Sequence, residues 1–314
     1  MLKIQRILVP TDFSDYSDPA LSHGIKLALE HSAELHLFHA IVLFEEDLTK
    51  MDHAIPDSSR LREALAEIAR KRMGNLVRDH GLPNLVCTQV QRRGISAAPP
   101  IVEYAQEVDI DLIVMGTHGR RGLRKMFLGS VAAEVIRSAP CSVLTIRGKG
   151  KRTKVHDPKR ILVPVDFSDQ GRGALRVATN LARTYQARIQ LIHVLGEVLH
   201  PAFYNMGAIR LSDLQPEIKE KARSHMEAYL SQVAEEADPS ATCHVQEGHA
   251  AREIVRFSQD QESDLIVMAT HGHTDKRHFL IGGTAEKVIS GAECPVLAIN
   301  PTGRELVGQG LEAP

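Results

Sequence analysis

The chain has no surplus of charge of either sign: 38 Lys and Arg stand against 39 Asp and Glu. Gripping a phosphate backbone by counterion release calls for a basic excess concentrated on one face, so nucleic acid is excluded as an expected partner. Cysteine is scarce. Cys87, Cys141, Cys243 and Cys294 are the only four, and no two form a C-x-x-C pair; this fits neither a disulfide framework nor a zinc knuckle, and buried free thiols are expected. Long apolar runs are missing too. Nothing reaches the roughly 18 apolar residues of a membrane span, and the opening MLKIQRILVPTD enters a strand-like run without a signal peptide's apolar core. The expectation is no membrane insertion and a cytoplasmic location.

What is present is ordinary for a globular protein: 43% hydrophobic and 25% charged residues. At 314 residues the chain exceeds what one core of roughly 150 residues organises, which predicts two domains. An internal repeat says the same. RILVPTDFSD (Arg6 to Asp15) returns as RILVPVDFSD (Arg160 to Asp169), an offset of 154, and DLIVMGTHG (Asp111 to Gly119) returns as DLIVMATHG (Asp264 to Gly272) at 153. So long a period is duplication of a whole domain rather than a solenoid. The expected domains are residues 1–148 and 158–301, with a glycine- and lysine-rich linker at 149–157 and a tail at 302–314.

Each copy opens on an apolar, β-branched run (Ile4 to Val9 in the first) suited to a strand buried on both faces. A helix follows with a stripe at Ala20, Leu21, Leu27 and Ala28, matched by Ala174, Leu175, Leu181 and Ala182. Next come a strand ending near Ala40 or Val194, a variable stretch, and a charged amphipathic helix at about 59–80 and 213–236. In the first copy a strand around 85–89, a helix at about 100–107, a strand at 111–115, a helix at 130–138 and a strand at 142–146 complete the order. Alternating strands and helices predict an α/β fold: two tandem doubly wound domains with parallel sheets and right-handed crossovers. Ligands of such sheets bind beyond the carboxyl ends of the strands.

Chemistry concentrates after the fourth strand of the first copy, in G-x2-G-x9-G-S: Gly116, Gly119, Gly129 and Ser130, followed by Val131. Glycines there let backbone turn and approach a ligand without a Cβ. Gly129 and Ser130 open a helix whose free N–H groups favour an anion, with the Ser130 hydroxyl as N-cap or phosphate donor. The plain alternative is a turn and a cap with no ligand. The loop is neither a Walker A nor a G-x-G-x-x-G sequence. Arg120, Arg121, Arg124 and Lys125 are cationic candidates, though a surface charge run is more often simply solvated. At the end of the first strand stand Pro10, Thr11 and Asp12, repeated as Pro164, Val165 and Asp166. An acid there suits ribose hydroxyls or an adenine amino group; equally, Asp12 and Asp166 could merely open a loop and cap the next helix.

These motifs together resemble the universal stress protein family in its tandem two-domain form, over nearly the whole chain. The resemblance implies a five-stranded parallel sheet in each domain, frequent ATP binding, and pairing of domains through their last strands, here supplied within one chain, with a homodimer as a further option. Carried to matching positions, it implies that Pro10, Thr11, Asp12 and the backbone at Ala40 contact the nucleoside. Gly116, Gly119, Arg120, Gly129, Ser130 and Val131 would then surround ribose and phosphates. The implied ligand is ATP or another adenine nucleotide, with Mg2+ as an optional companion.

The second copy departs from this pattern. Its corresponding set is Pro164, Val165, Asp166, Val194, Ala269, Gly272, Gly282, Gly283 and Thr284. Ala269 replaces the first glycine and Gly283 replaces Ser130, so its occupancy is less secure, and a purely structural second copy is the alternative. His271, His273 and His278, with His249, match no standard metal spacing, and no metal is expected. His39 and His193 end the second strand of each copy and are expected as packed, hydrogen-bonded residues. Three function classes fit unequally: a nucleotide-binding stress or regulatory protein, a slow ATP hydrolase or phosphoryl-transfer enzyme for which no acidic partner to Ser130 stands out, and a non-nucleotide module that dimerises or holds another small ligand.

Overall fold

The computed structural model describes residues 2–42, 58–81, 85–119, 128–148, 150, 155–196, 212, 215–233, 241–270 and 282–307. The chain divides into two units, Ile4–Val155 and His156–Pro314, the second also holding Met1–Lys3. Leu2 bridges Val307 in antiparallel fashion, and the Lys3 N–H donates to the Leu306 carbonyl at 2.7 Å.

The first unit runs β1 (Arg6–Pro10), α1 (Asp18–His31), β2 (Glu34–Val42), α2 (Ser58–Asp79), β3 (Cys87–Gly94), α3 (Ala98–Glu107), β4 (Leu112–Gly116), α4 (Ser130–Ser138) and β5 (Ser142–Ile146). Its strands lie in the order β3-β2-β1-β4-β5, all parallel. The second unit repeats this with β6 (Arg160–Pro164), α5 (Asp169–Tyr185), β7 (Arg188–Leu195), α6 (Ile218–Ser231), β8 (Thr242–Glu247), α7 (Ala250–Asp260), β9 (Leu265–Ala269), α8 (Gly283–Gly291) and β10 (Val296–Ile299), in the order β8-β7-β6-β9-β10. This is the expected parallel α/β architecture, five strands to each unit.

The central strands are apolar because helices cover both their faces. Ile7, Leu8 and Val9 in β1, and Ile161, Leu162 and Val163 in β6, have no solvent exposure. α1 lies so near β1 that a Cβ on Gly24 would collide with the Val9 side chain. The expected stripe of α1 is buried at Ala20, Leu21 and Ala28, while Leu27 is half-buried; all four counterparts in α5 are buried. Each sheet is also clasped at its amino end. Asp111 accepts the backbone N–H groups of Gln5 and Arg6, and Asp264 those of Lys159 and Arg160, at 2.8 to 3.0 Å.

Some expected boundaries move. β3 begins and ends later than expected, continuing to Gly94, because its backbone pairs along β2 as far as Val42. α6 is shorter than the periodicity predicts, spanning Ile218–Ser231. The residue that the second copy lacks is also located. Gly94 and Gly248 correspond: a Cβ on Gly94 would meet Pro100 Cγ at 3.1 Å, and one on Gly248 would meet Glu253 Cγ at 3.2 Å. Five residues then lie between Gly94 and Pro100 but four between Gly248 and Glu253, and among those five is Ile95, 97% exposed.

Candidate functional site

In the order β3-β2-β1-β4-β5 the chain winds outward from β1 on one side and then crosses to β4 on the other. The carboxyl ends of β1 and β4 therefore form the switch point where doubly wound sheets open a crevice. Asp12 follows β1 and Gly116 closes β4, so the two motifs singled out in the sequence, more than a hundred residues apart, meet here. A Cβ on Gly119 would lie 2.8 Å from Asp12 Oδ2. The glycine loop thus begins by passing directly over the acid.

The corner around Asp12 is densely hydrogen-bonded. Asp12 Oδ1 accepts from the Ser14 N–H at 3.0 Å and the Ser14 hydroxyl at 2.6 Å, so the plain structural role weighed for this acid is present. The Ser17 hydroxyl donates to the Ser14 carbonyl at 3.0 Å and meets the Thr11 hydroxyl at 3.1 Å; Thr11 Oγ1 also accepts the Phe13 N–H at 3.0 Å. Thr11 is buried and its hydroxyl is used inside the corner. Phe13 sits at φ +62, a conformation that bulky side chains seldom adopt. It is held there by stacking on His39 at 4.3 Å and by the Arg72 guanidinium above it at 5.6 Å. His39 Nδ1 bonds to the Thr11 carbonyl at 2.8 Å, which makes Nδ1 the protonated nitrogen and gives the packed role expected. Ala40 lies half-buried in β2.

On the other side of the crevice, Thr117 is tied to β5 through its N–H and the Ile146 carbonyl at 3.1 Å, and the Gly129 N–H returns to the Thr117 carbonyl at 2.9 Å. Gly129 is the N-cap of α4, extended at φ −61 and ψ 142, with no side-chain cap bond. Ser130 is therefore the first helical residue and not the cap, which corrects that part of the sequence reading. Ser130 is exposed, leaving its hydroxyl and the helix start facing solvent, while Val131 is half-buried. Arg120, Arg121, Arg124 and Lys125 fall outside the described residues.

Glycine at 116 has an internal cause that sequence reasoning missed. A Cβ there would stand 2.7 Å from the Tyr16 carbonyl oxygen. That carbonyl lies where it does because α1 starts at Asp18, whereas α5 starts at Asp169, the counterpart of Asp15. Proline at 19, second in α1, explains the delay: it has no N–H to offer the Asp15 carbonyl. The second copy has Gly173 there, its helix starts three residues sooner, and Ala269 is accommodated. The methyl of Ala269 thus reflects a different protein neighbour and does not by itself argue against a ligand.

Elsewhere the second corner repeats the first with substitutions. Asp166 Oδ1 accepts from the Ser168 N–H at 3.0 Å and hydroxyl at 2.5 Å, and Ser168 Oγ caps α5 through the Gly171 N–H at 3.1 Å. Val165 and Gly171 replace the Thr11–Ser17 hydroxyl pair. Tyr229 enters from α6, donating to the Ser168 carbonyl at 2.7 Å and setting its ring edge on Phe167, which is also at φ +62. Burial, reinforced by the nearby Asp166 charge, pushes the Tyr229 hydroxyl up to about 12. His193 Nδ1 bonds to the Val165 carbonyl at 2.8 Å. Val194 is half-buried in β7, Gly282 is the N-cap of α8 with its N–H on the Thr270 carbonyl at 2.8 Å, and Gly283 and Thr284 are exposed. Gly272, His271, His273 and His278 lie outside the described residues, while His249 is the N-cap residue of α7. Among the described residues no cluster of His, Cys, Asp and Glu is arranged to hold a metal ion, and no helix is long and apolar enough to cross a membrane. All four cysteines are free thiols.

The molecule is thus a duplicated, doubly wound α/β domain in whose first copy an acid after the first strand faces the start of a glycine loop after the fourth. Residues 3–147 and 158–300 each match the universal stress protein family, and the chain belongs to that family in its tandem form. It is 24% identical over 317 residues to the universal stress protein E homolog of Haemophilus influenzae, covering 97% of this chain and 100% of that one. A single-domain relative, a universal stress protein of Methanocaldococcus jannaschii, is 33% identical over 147 residues, covering 47% of this chain and 85% of its own. A solved structure from Pseudomonas aeruginosa, described as a functionally unknown protein, shares the fold with a TM-score of 0.64 at 21% identity, covering 95% of this chain and 93% of that chain.

Proposed function

We propose that this universal stress protein binds ATP or a related adenine nucleotide in its first domain and acts as a regulatory protein in the cytoplasm. The observation that carries the reading is the approach of Gly119 to Asp12 Oδ2 at the switch point. A carboxylate oxygen turned toward a glycine loop suits ribose hydroxyls. The Gly129–Ser130 helix start, with an exposed hydroxyl and backbone N–H groups that the helix itself leaves unpaired, suits the phosphates. Pro10, Thr11 and Ala40 supply backbone walls, and Arg120 supplies charge from the loop. The family resemblance, with its frequent ATP binding, adds to this. Mg2+ would enter with the phosphates and is supported by Ser130 alone. The regulatory reading is favoured over hydrolysis because Asp12 Oδ1 is engaged by Ser14 and is placed to accept hydrogen bonds.

The second domain is a weaker candidate, with Pro164, Val165, Asp166, Val194 and Ala269 at the repeated corner, Gly272 by its sequence position, and Gly282, Gly283 and Thr284 at the helix start. Calorimetric titration of the intact chain with ATP, alongside mass spectrometry of small molecules released by denaturation, tests both. Binding that loses one equivalent in Gly119→Val supports the first-domain site. Unchanged stoichiometry in that variant moves the site to the second domain, and no binding together with no released nucleotide defeats the reading.

A further inference from the structure

The segment leaving the first domain is fastened to the same corner that holds Asp12. Because Pro19 has no N–H, the Asp15 carbonyl cannot receive the bond from four residues on that would start a helix there. It accepts instead from the Gly150 N–H at 3.0 Å. Gly148 and Gly150 stand at φ +153 and +138, and the nearest atom to a Cβ on Gly148 would be Pro19 Cγ at 3.8 Å. These are backbone conformations that L side chains rarely adopt, so both glycines are needed for the chain to run back along the start of α1. In the second copy Gly173 carries an N–H at the position of Pro19 and α5 begins at the counterpart of Asp15, leaving no equivalent call for an outside donor.

The five residues Asp12 to Tyr16 therefore carry the acid at one end and the linker anchor near the other. Ser14 holds Asp12, the Asp15 carbonyl holds Gly150, and the Tyr16 carbonyl lies against Gly116. We propose that the bond from the Gly150 N–H to the Asp15 carbonyl is a latch, and that occupancy of the first-domain pocket controls how firmly it holds the start of the linker; the coupling, though not the latch, rests on the nucleotide reading above. A ligand hydroxyl accepted by Asp12 fixes the Asp12–Ser17 corner, and a fixed Asp15 carbonyl holds the Gly150 N–H more firmly. Linkage requires the reverse as well: freeing the linker weakens the ligand by the same factor.

The linker carries its own probe, since trypsin cuts after Lys149, Lys151, Arg152 and Lys154. In the full chain without ligand, Gly150→Ala, which strains the anchoring backbone, and Pro19→Ala, which gives Asp15 a helical donor, are each expected to be cut in the linker about five-fold faster than wild type, the effect of losing one hydrogen bond from a locally opening segment. Saturating ATP slows wild-type linker cleavage by about the same factor and slows neither variant, and the affinity of each variant for ATP falls correspondingly. Should Pro19→Ala fail to fold, Gly150→Ala and hydrogen exchange at the Gly150 amide carry the same reading. Equal ligand-free cleavage of wild type and Gly150→Ala overturns the latch, and calorimetrically bound ATP that leaves linker cleavage unchanged overturns the coupling. An absence of ATP binding sinks the proposed function on its own, while the ligand-free variants still decide whether the latch exists.

Discussion

The Tyr16 carbonyl and the Cα of Gly116 are so close that a Cβ on the glycine would come within 2.7 Å of the oxygen. Backbone oxygen in a hydrogen-bonded corner has little freedom to withdraw. Gly116→Ala is therefore expected to destabilise the first domain by about 1–3 kcal/mol through overpacking. Ala269→Gly in the second copy removes no collision and is expected to cost only about 0.5–1 kcal/mol of chain entropy. Urea unfolding of the two variants checks the contrast, and an equal small effect for both would remove Tyr16 as the cause.

Asp12 serves a corner and faces a pocket, and the two roles separate by substitution. Asp12→Asn keeps an oxygen for the Ser14 N–H and hydroxyl while removing the charge, whereas Asp12→Ala removes both. The unfolding free energy is expected to hold in the first and fall in the second, by about 1–3 kcal/mol for the orphaned partners, as measured by urea unfolding. Nucleotide affinity is expected to fall about ten-fold or more in both, as befits a charged acceptor. Full affinity in Asp12→Asn would reduce the acid to a cap.

His36 gives the first domain a dependence on pH. It is buried in β2, with Nδ1 on the Tyr104 hydroxyl at 2.8 Å and Nε2 3.5 Å from Glu34 Oε1, which also accepts from the Thr88 hydroxyl at 2.7 Å. Burial, against the opposing pull of Glu34, lowers its pKa from the ordinary 6.5. The unfolded chain then binds the proton more readily than the folded one, so the stability is full above the unfolded value and drains away as pH falls below it. The second copy has Gln190 at this position. Stability measured from about pH 7 down to about pH 5 is expected to drop more steeply in wild type than in His36→Gln; parallel curves would show His36 to be uninvolved.

Tyr229 makes the opposite kind of statement at the other end of the scale. Its pKa is raised from 10.0 to about 12, so the neutral phenol is favoured by folding and its contribution is present below pH 10 and lost as pH rises toward 12. The ultraviolet absorbance of phenolate during alkaline titration should show one late component that Tyr229→Phe removes. The same variant forfeits the bond to the Ser168 carbonyl and is expected to lose about 1 kcal/mol of second-domain stability. A titration that ends with the ordinary tyrosines would contradict the burial of the hydroxyl.

The succession of strands and helices along the chain, the buried triplets Ile7-Leu8-Val9 and Ile161-Leu162-Val163, and the parallel sheets were legible because apolar periodicity and a near-verbatim repeat both report burial directly. The meeting of Asp12 with Gly119 was legible at the level of topology, since both motifs end strands that flank a switch point. What could not be read was the reason for each glycine. A sequence records that Gly116 became Ala269 without recording that Pro19 became Gly173, and only the packed corner joins those changes through the position of one carbonyl. Nor does any local signal announce that Phe13 and Phe167 occupy left-handed backbone, because the stacking histidines that hold them come from a different strand. Tyr229 was invisible for the same reason, being one more apolar position on an amphipathic helix until its hydroxyl reaches Ser168.

The connection after β3 is where one copy carries an extra residue and the other does without it, and the Ile95 side chain in that connection is 97% exposed. Natural divergence has already varied the length of the chain at this point while both domains kept their fold, and exposed loop tips are where insertion is tolerated. It is accordingly the place to graft a fluorophore, an affinity peptide or a crosslinking handle, at a point where the fold has already absorbed a change of length.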